Sequence, residues 1–282
     1  MKKFFKKAFA QIKDPRYFQI IFLGSFLSYG AFQLGWSIEL KNYILLISTC
    51  LIVQTTAILY LNLPWSSLRS ALITSLGLCL LFKAGDASSY VLAGMLAIGS
   101  KFAIRYKGKH IFNPANFGII VPIILTGQTW ISPGQWGSSL TMLLFFGAAG
   151  LMILFRISRL ETGLTFLLVY FVLLMSKDVF YAGWNLEVVM HKMTNGALLL
   201  FAFFMITDPM TIPNKKKVRI AWASCLAIVS FLLSNAYYFH TAPMWILFLA
   251  SPLVPVLDYF FKAEKFKWLN NVGTKKLAIK TN

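Results

Sequence analysis

Nine acidic residues face 27 lysines and arginines in this chain. Two of the nine, Asp208 and Asp258, stand inside apolar runs. A carboxylate at membrane depth is costly, and it persists where it lines a cavity or binds something. Asp208 lies in the run 198–214, LLLFAFFMITDPMTIPN, followed at once by Pro209 and later by Pro213. Asp before Pro is a helix-start signal, with Asp as N-cap and Pro in the first helical position. The spacing predicts a half-helix opening inside an apolar segment; a plain helix cap at the cytoplasmic surface is the competing reading. Asn113-Pro114, with Asn116 behind it, carries the same signal in a second segment. Thr207, Thr211 and Asn214 offer further polar groups from the first. Two such N-termini facing each other create a partly positive, amide-rich pocket suited to a polar or anionic group. Asp258 has Lys262 one turn away, which makes an ion pair at a helix end the simpler account of it.

Other chemistries find little support. His110, His191 and His240 fall in three separate loops on both sides of the membrane, so they share no metal site. Cys50, Cys79 and Cys225 sit far apart in apolar runs without a CxxC pair, and read as small core residues. No nucleophile–His–acid set, phosphate loop or dinucleotide fingerprint is present. The sequence holds no independent catalytic constellation.

The elements that must position these residues are membrane helices. The chain is 58% hydrophobic and 13% charged over 282 residues, with a mean hydropathy of +0.68; soluble domains carry about 25% charged residues. Mostly uncharged apolar segments give ten crossings, near 17–36, 42–62, 66–83, 88–106, 112–127, 138–156, 160–176, 194–213, 218–239 and 242–261. With the N-terminus in the cytoplasm, only Lys41, Lys83, Lys177 and Lys192 of the 27 basic residues fall outside. That asymmetry supports ten crossings with both termini inside. The net charge of +18 is then a topology signal and a contact for the lipid bilayer, and nucleic acid is excluded as a partner. Residues 1–16 form a basic cytoplasmic arm, 17–262 a single transmembrane domain, and 263–282 a basic cytoplasmic tail. Trp130 and Trp136, in the uncharged outer loop 127–137, read as interfacial anchors.

Matching defects recur five crossings apart. Arg69-Ser-Ala-Leu opens the third segment and Asn195-Gly196-Ala-Leu the eighth. A polar residue followed by proline stands in both the fifth, at Asn113, and the tenth, at Ser251. A five-crossing repeat is necessarily inverted in the membrane, and such repeats place a binding site near the midplane at their interface. The expected fold is all-α, with about ten helices in two inverted repeats, near 17–127 and 138–262, that include broken or half helices.

Three motifs then identify a resemblance. His110-Ile-Phe-Asn-Pro-Ala-Asn-Phe-Gly118, Phe203-Phe-Met-Ile-Thr-Asp-Pro-Met-Thr211 and Val254-Pro-Val-Leu-Asp-Tyr-Phe260 resemble elements of one family, in family order. Ser70-Ala-Leu-Ile-Thr74 resembles a fourth. The family comprises RnfD of the Rnf electron-transport complex and NqrB of the sodium-pumping NADH:quinone oxidoreductase. The resemblance implies a urea-transporter-like inverted-repeat fold in a bacterial inner membrane. It also implies flavin, both a covalent FMN on an outer-loop threonine and noncovalent riboflavin, in a complex with other membrane redox subunits. The loop 127–137 contains no acceptor motif, and Thr194-Asn195-Gly196-Ala197-Leu198 has leucine where the acceptor would be. No covalent FMN is therefore expected, and the chain is most similar to the short RnfD-like, UnbU-like branch.

The leading reading is an electron-transfer subunit holding noncovalent riboflavin or FMN. The alternatives are a flavin or other small-molecule transporter or channel on the same fold, and an accessory membrane protein of a biosynthetic pathway. The candidate cofactor-binding residues, taken as one midplane pocket or pore, are Asn113, Pro114, Asn116, Thr194, Asn195, Gly196, Thr207, Asp208, Pro209, Thr211 and Asp258.

Overall fold

The computed structural model describes residue 14 and residues 16–33, 40–132 and 159–266. The expected sixth segment, 138–156, and Trp136 lie outside the described residues. In chain order the helices are α1 (Arg16–Phe32), α2 (Leu40–Leu61), α3 (Leu68–Leu81, after a 3-10 turn at Trp65–Ser67), α4 (Ala87–Ala103) and α5 (Pro114–Thr126). There follow α6 (Leu160–Leu174, continued as a π-helix over Met175–Tyr181), α7 (Leu186–Met193), α8 (Gly196–Leu200, continued as a π-helix over Phe201–Met205), α9 (Lys216–Ala236), α10 (Ala242–Ala250) and α11 (Leu253–Phe260).

By length and apolarity, Leu40–Leu61, Leu160–Tyr181 and Lys216–Ala236 can each cross a bilayer. Two bent pairs, α7 with α8 and α10 with α11, pass the same test together, and each is bent by 54°. Among the described residues this gives three to five candidate spans, enough for a multi-pass membrane protein. Their core positions are filled by Leu, Ile, Phe and Ala, while Ile44, Ile52, Leu59, Leu168 and Leu232 are exposed. A helix that is apolar both inside and outside is a membrane helix.

Two helices are short, and the backbone beyond them explains how they are tolerated. α5 has 13 residues, about 20 Å at 1.5 Å per residue, against about 30 Å of hydrocarbon. Beyond α3, β1 (Phe82–Ala84) pairs antiparallel with β4 (Thr129–Ile131), which follows α5. Gly85 N donates to Gln128 O at 3.1 Å, and Ser132 N to Leu81 O at 2.7 Å. Extended backbone near the membrane must find partners in the protein, and the ladder supplies them. At the other end of α4 and α5, a tight hairpin joins β2 (Arg105–Tyr106) to β3 (Lys109–His110). Its turn residues Lys107 (φ 48°) and Gly108 (φ 84°) are both left-handed, as a two-residue type I′ turn requires. The molecule therefore has a ladder side and a hairpin side.

Helix α5 packs closely on α4 at Gly118. A Cβ added there would lie 2.6 Å from Ala97 Cβ and 2.8 Å from Ala93 O. On the far side of the chain, α6 and α9 pack together as α2 and α4 do. Cys50 and Cys79 are buried and Cys225 is exposed; all three are free thiols.

One local expectation is corrected. Asp208-Pro209 does not open a helix. Asp208 Oδ1 accepts from Met210 N at 3.0 Å and Asp208 O from Thr211 N at 3.1 Å, which makes a single turn. The next helix begins at Lys216. Pro213 ends the attempt: it has no N–H to continue a helix, and it pushes Ile212 out of the helical region.

Candidate functional site

On the hairpin side, a cavity of about 420 Å³ lies between α1, α2, α3, α4, the start of α5 and the end of α8. Asn113 is its corner. Its Oδ1 accepts from Asn116 N at 3.1 Å and so caps α5, with Pro114 in the first turn. Its amide nitrogen donates across the cavity floor, to Met205 O and to Asp208 Oδ2, both at 3.4 Å. The π-helical end of α8 makes this possible, because the widened turn delivers Met205 and Asp208 to the α5 N-terminus. Thr207 turns its hydroxyl back to Phe203 O at 2.6 Å, which holds the broken end in place.

A cation lines the same cavity. Lys101, in the last turn of α4, is 4% exposed. Its ammonium donates to Ser70 Oγ at 2.9 Å and to Gln54 Oε1 at 3.3 Å, and Gln54 also donates to Ser67 Oγ at 3.2 Å. Lys101 and Asp208 line the same cavity without a direct salt bridge. A buried ammonium and a partly buried carboxylate lining one cavity can hold a polar ligand there. Apolar wall is supplied by Leu23, Ile73, Leu81, Phe102, Leu200 and Phe204. Phe204 is braced by Phe22, their rings stacked at 5.5 Å.

Arg16, Arg105 and His110 also line the cavity. Asp14 binds Arg16 at 2.6 Å and Arg69 at 2.7 Å. Burial alone would push the Asp14 carboxyl up, but the two guanidinium groups outweigh it and hold it below the usual range. His110 Nδ1 lies 3.1 Å from Lys101 O. A carbonyl only accepts, so Nδ1 carries the proton and Nε2 keeps its lone pair. Burial, and then the charges of Lys101 and Arg105, pull His110 down to about 4. This imidazole is neutral at physiological pH.

The structure divides the candidate residues among three places. Asn113, Pro114, Thr207, Asp208 and Pro209 line this cavity together. Thr211 adjoins it, its hydroxyl donating to Asp208 O at 3.3 Å. Asn116 lies one turn deeper and donates to Met244 O at 3.1 Å, while its Oδ1 is buried without a partner among the described residues. Asp258 belongs to a different cluster. Its partners are Lys109 at 2.8 Å and the Asn214 backbone N–H at 2.8 Å, so the pairing with Lys262 expected from spacing is replaced by a contact distant in sequence.

Thr194, Asn195 and Gly196 are elsewhere. Asn195 caps α8 at its far end, ten residues of helix from Met205, or about 15 Å. It lines a second cavity, of about 230 Å³, with Lys192, Tyr170, Asn235, His240 and Thr241. Ile131 of the ladder lines it too, which puts it on the ladder side. Nearby, Lys192 pairs at 2.7 Å with Asp178, which is fully buried in the π-helical end of α6. The candidates taken as one pocket therefore fall on separate cavities, Asn113 and Asp208 on the hairpin side and Asn195 on the ladder side, with the Asn116 amide donating to Met244 O of the second.

Lys101, Gln54 and Ser70 are not among the candidate residues expected from sequence, although Ser70 opens the fourth motif. Lys101 looks like one of four basic residues in an inner loop, and only the helical run 87–103 brings it inside. Gln54 carried a usable signal: beyond Asn42 in the first turn, it is the one amide in α2.

The model of the NQR2, RnfD, RnfE family matches residues 123–267. The chain is also 28% identical over 122 residues to the D subunit of the ion-translocating oxidoreductase complex of Psychromonas ingrahamii. That alignment takes in 43% of this chain and 35% of the relative, so the chain matches about a third of that protein's length.

Proposed function

The chain belongs to the NQR2, RnfD, RnfE family, and on that premise we propose that it is a subunit of an ion-coupled redox system that holds a noncovalent flavin in the hairpin-side cavity. The observation that carries this reading is that Lys101 and the hydrogen-bonded Asn113–Asp208 pair line one largely apolar chamber. At about 420 Å³ the chamber lies in the range of small-molecule sites, roughly 300–1,000 Å³. The residues fit a flavin ring: Phe204 and Phe102 offer flat aromatic wall and Ile73 aliphatic wall, while Lys101, Asn113 and Asp208 offer a donor, a mixed group and an acceptor for its polar edge. A bound flavin supplies one- and two-electron chemistry; the protein supplies orientation, exclusion of water and fixed charge. Lys101 and Asn113 would each donate to ring acceptors, and Asp208 would receive a ring N–H. Riboflavin or FMN is held without a covalent bond, because the loop 127–137 offers no acceptor motif.

The same reading takes the chain as two inverted repeats of five crossings in a bacterial inner membrane, with both termini cytoplasmic and the hairpin side facing inward. Its support is the recurrence of structural features at that interval. The α2–α4 packing is matched by α6–α9. The polar openings at Ser67 and Asn113 around one cavity are matched by Asn195 and Thr241 around the other, Thr241 taking the place that the Ser251-Pro252 spelling suggested for the tenth segment. The partners are other membrane redox subunits, in keeping with the relative's name, which makes that protein part of an oxidoreductase complex.

Purification in mild detergent followed by a visible spectrum tests the proposal. A stoichiometric flavin band that is released on denaturation is the expected result. Its absence from a folded preparation, or equal flavin retention in Asp208→Asn and Asn113→Ala, rules it out.

A second reading is favoured by one observation: one cavity lies on the hairpin side and another on the ladder side, and Asn116, next to Ala115 of the first, donates to Met244 O of the second. That is the layout of a transporter for a flavin or another small polar aromatic solute. Uptake of riboflavin into proteoliposomes, lost in Asn116→Leu, separates it from the redox reading.

A further inference from the structure

A third cavity, of about 340 Å³, opens on the hairpin side between the β2–β3 turn and α11. Lys107, Lys109, Lys262 and Lys265 line it, with Tyr259 and a single carboxylate, Asp258. That carboxylate is already committed: Oδ2 accepts from Lys109 at 2.8 Å and Oδ1 from the Asn214 backbone N–H at 2.8 Å. Glu264, the nearest other acid in sequence, does not line the cavity. Three ammonium groups are thus left without a carboxylate partner among the described residues. Two of them are positioned rather than trailing in solvent. Lys265 Nζ donates to Lys107 O at 3.0 Å. Lys107 Nζ lies 5.2 Å from the Tyr106 ring centre and 5.8 Å from that of Tyr259, within cation–π range.

We propose that this cavity binds a phosphate-bearing anion. Converging lysines on a hydrogen-bonded turn, over aromatic rings, match the charge and size of a phosphate ester. The neighbouring surface indicates the source. Val256 and Phe260 on α11, and Phe261 just after it, are 49%, 70% and 44% exposed. This apolar strip beside a basic pocket suits a phospholipid, headgroup among the lysines and acyl chains along α11. A soluble phosphate would use the lysines and leave the strip bare.

The test titrates the purified full chain in mild detergent with short-chain phosphatidylglycerol, phosphatidylcholine of equal chain length, and inorganic phosphate, following thermal unfolding. Phosphatidylglycerol is expected to give a saturable stabilisation that phosphatidylcholine does not. In Lys262→Gln with Lys265→Gln, half-saturation should rise on the order of tenfold. Lys216→Gln with Lys217→Gln removes the same charge from exposed sites outside the cavity and should change it less than about twofold on the same scale. A matching response to inorganic phosphate keeps the site but assigns it to a soluble ester. Equal losses in the two double variants, equal responses to both lipids, or no saturable response to any of the three overturns the proposal.

Discussion

The Asn113 amide donates to the Asp208 carboxylate across 3.4 Å, although the two residues are 95 positions apart in the chain. The same amide's oxygen caps α5. Asn113 therefore does two separable things, and substitutions can separate them. Asn113→Ala removes both and should lower stability by about 1 kcal/mol, the usual worth of a cap, while releasing bound flavin. Asn113→Ser restores a capping oxygen but has no amide nitrogen to reach Asp208. It should recover the unfolding temperature without recovering flavin. Thermal unfolding in detergent, read beside flavin absorbance, checks both outcomes.

Lys101 gives the opposite pattern. Its ammonium is buried against two neutral oxygens, Gln54 Oε1 and Ser70 Oγ. A desolvated charge without an ionic partner contributes little to stability and often costs some. Lys101→Met fills similar volume without the charge, so the protein should unfold at the same or a higher temperature. If the ammonium faces a ligand, flavin affinity should fall by about tenfold or more, the loss of a charged hydrogen bond. Unchanged flavin affinity in Lys101→Met would remove Lys101 from the site.

These two residues show what the sequence makes legible. Asn113-Pro114 announces itself because capping is local: the cap, the proline and the first turn all lie within four positions. The apolar segments and their approximate ends are legible for the same reason. Lys101 was not, because a lysine near a predicted helix end counts equally well as a loop charge until the α2 and α3 walls are in place around it. Asp208-Pro209 misled in the other direction. Its local signal was real and produced one turn, but Pro213 decided the length of the element. The separation of Asn195 from Asn113 is a matter of distance along α8, which no short motif encodes.

His110 makes stability depend on pH in a definite sense. Its folded value near 4 lies below the ordinary value of about 6.5. The unfolded chain therefore takes up the proton first. The native state keeps its full margin above about pH 6.5 and loses it progressively as pH falls toward 4, at up to roughly 1.4 kcal/mol per unit. Below that, both states are protonated and the loss levels off. His110→Gln keeps an amide donor for Lys101 O and removes the titration. The expected outcome is a fall in unfolding temperature between pH 6.5 and 4 in the parent that is much smaller in His110→Gln, measured by scanning fluorimetry across that range.

Gly118 tests the scaffold without touching the cavity lining. A methyl group there would come within 2.6 Å of Ala97 Cβ and 2.8 Å of Ala93 O, and the second neighbour is backbone that cannot turn aside. Helices α4 and α5 would have to move apart, and α5 carries Asn113 at its start. Gly118→Ala should therefore cost about 1–3 kcal/mol as overpacking, against a small gain from helix propensity. Gly99, also within α4, has nothing within 4 Å of its Cβ position. Gly99→Ala should leave stability unchanged or raise it by a few tenths of a kcal/mol, up to about 1. The pair is measured by thermal unfolding of the two purified variants beside the parent. If both behave alike, the close approach of α4 to α5 does not hold in the membrane protein, and the placement of Asn113 against Asp208 fails with it.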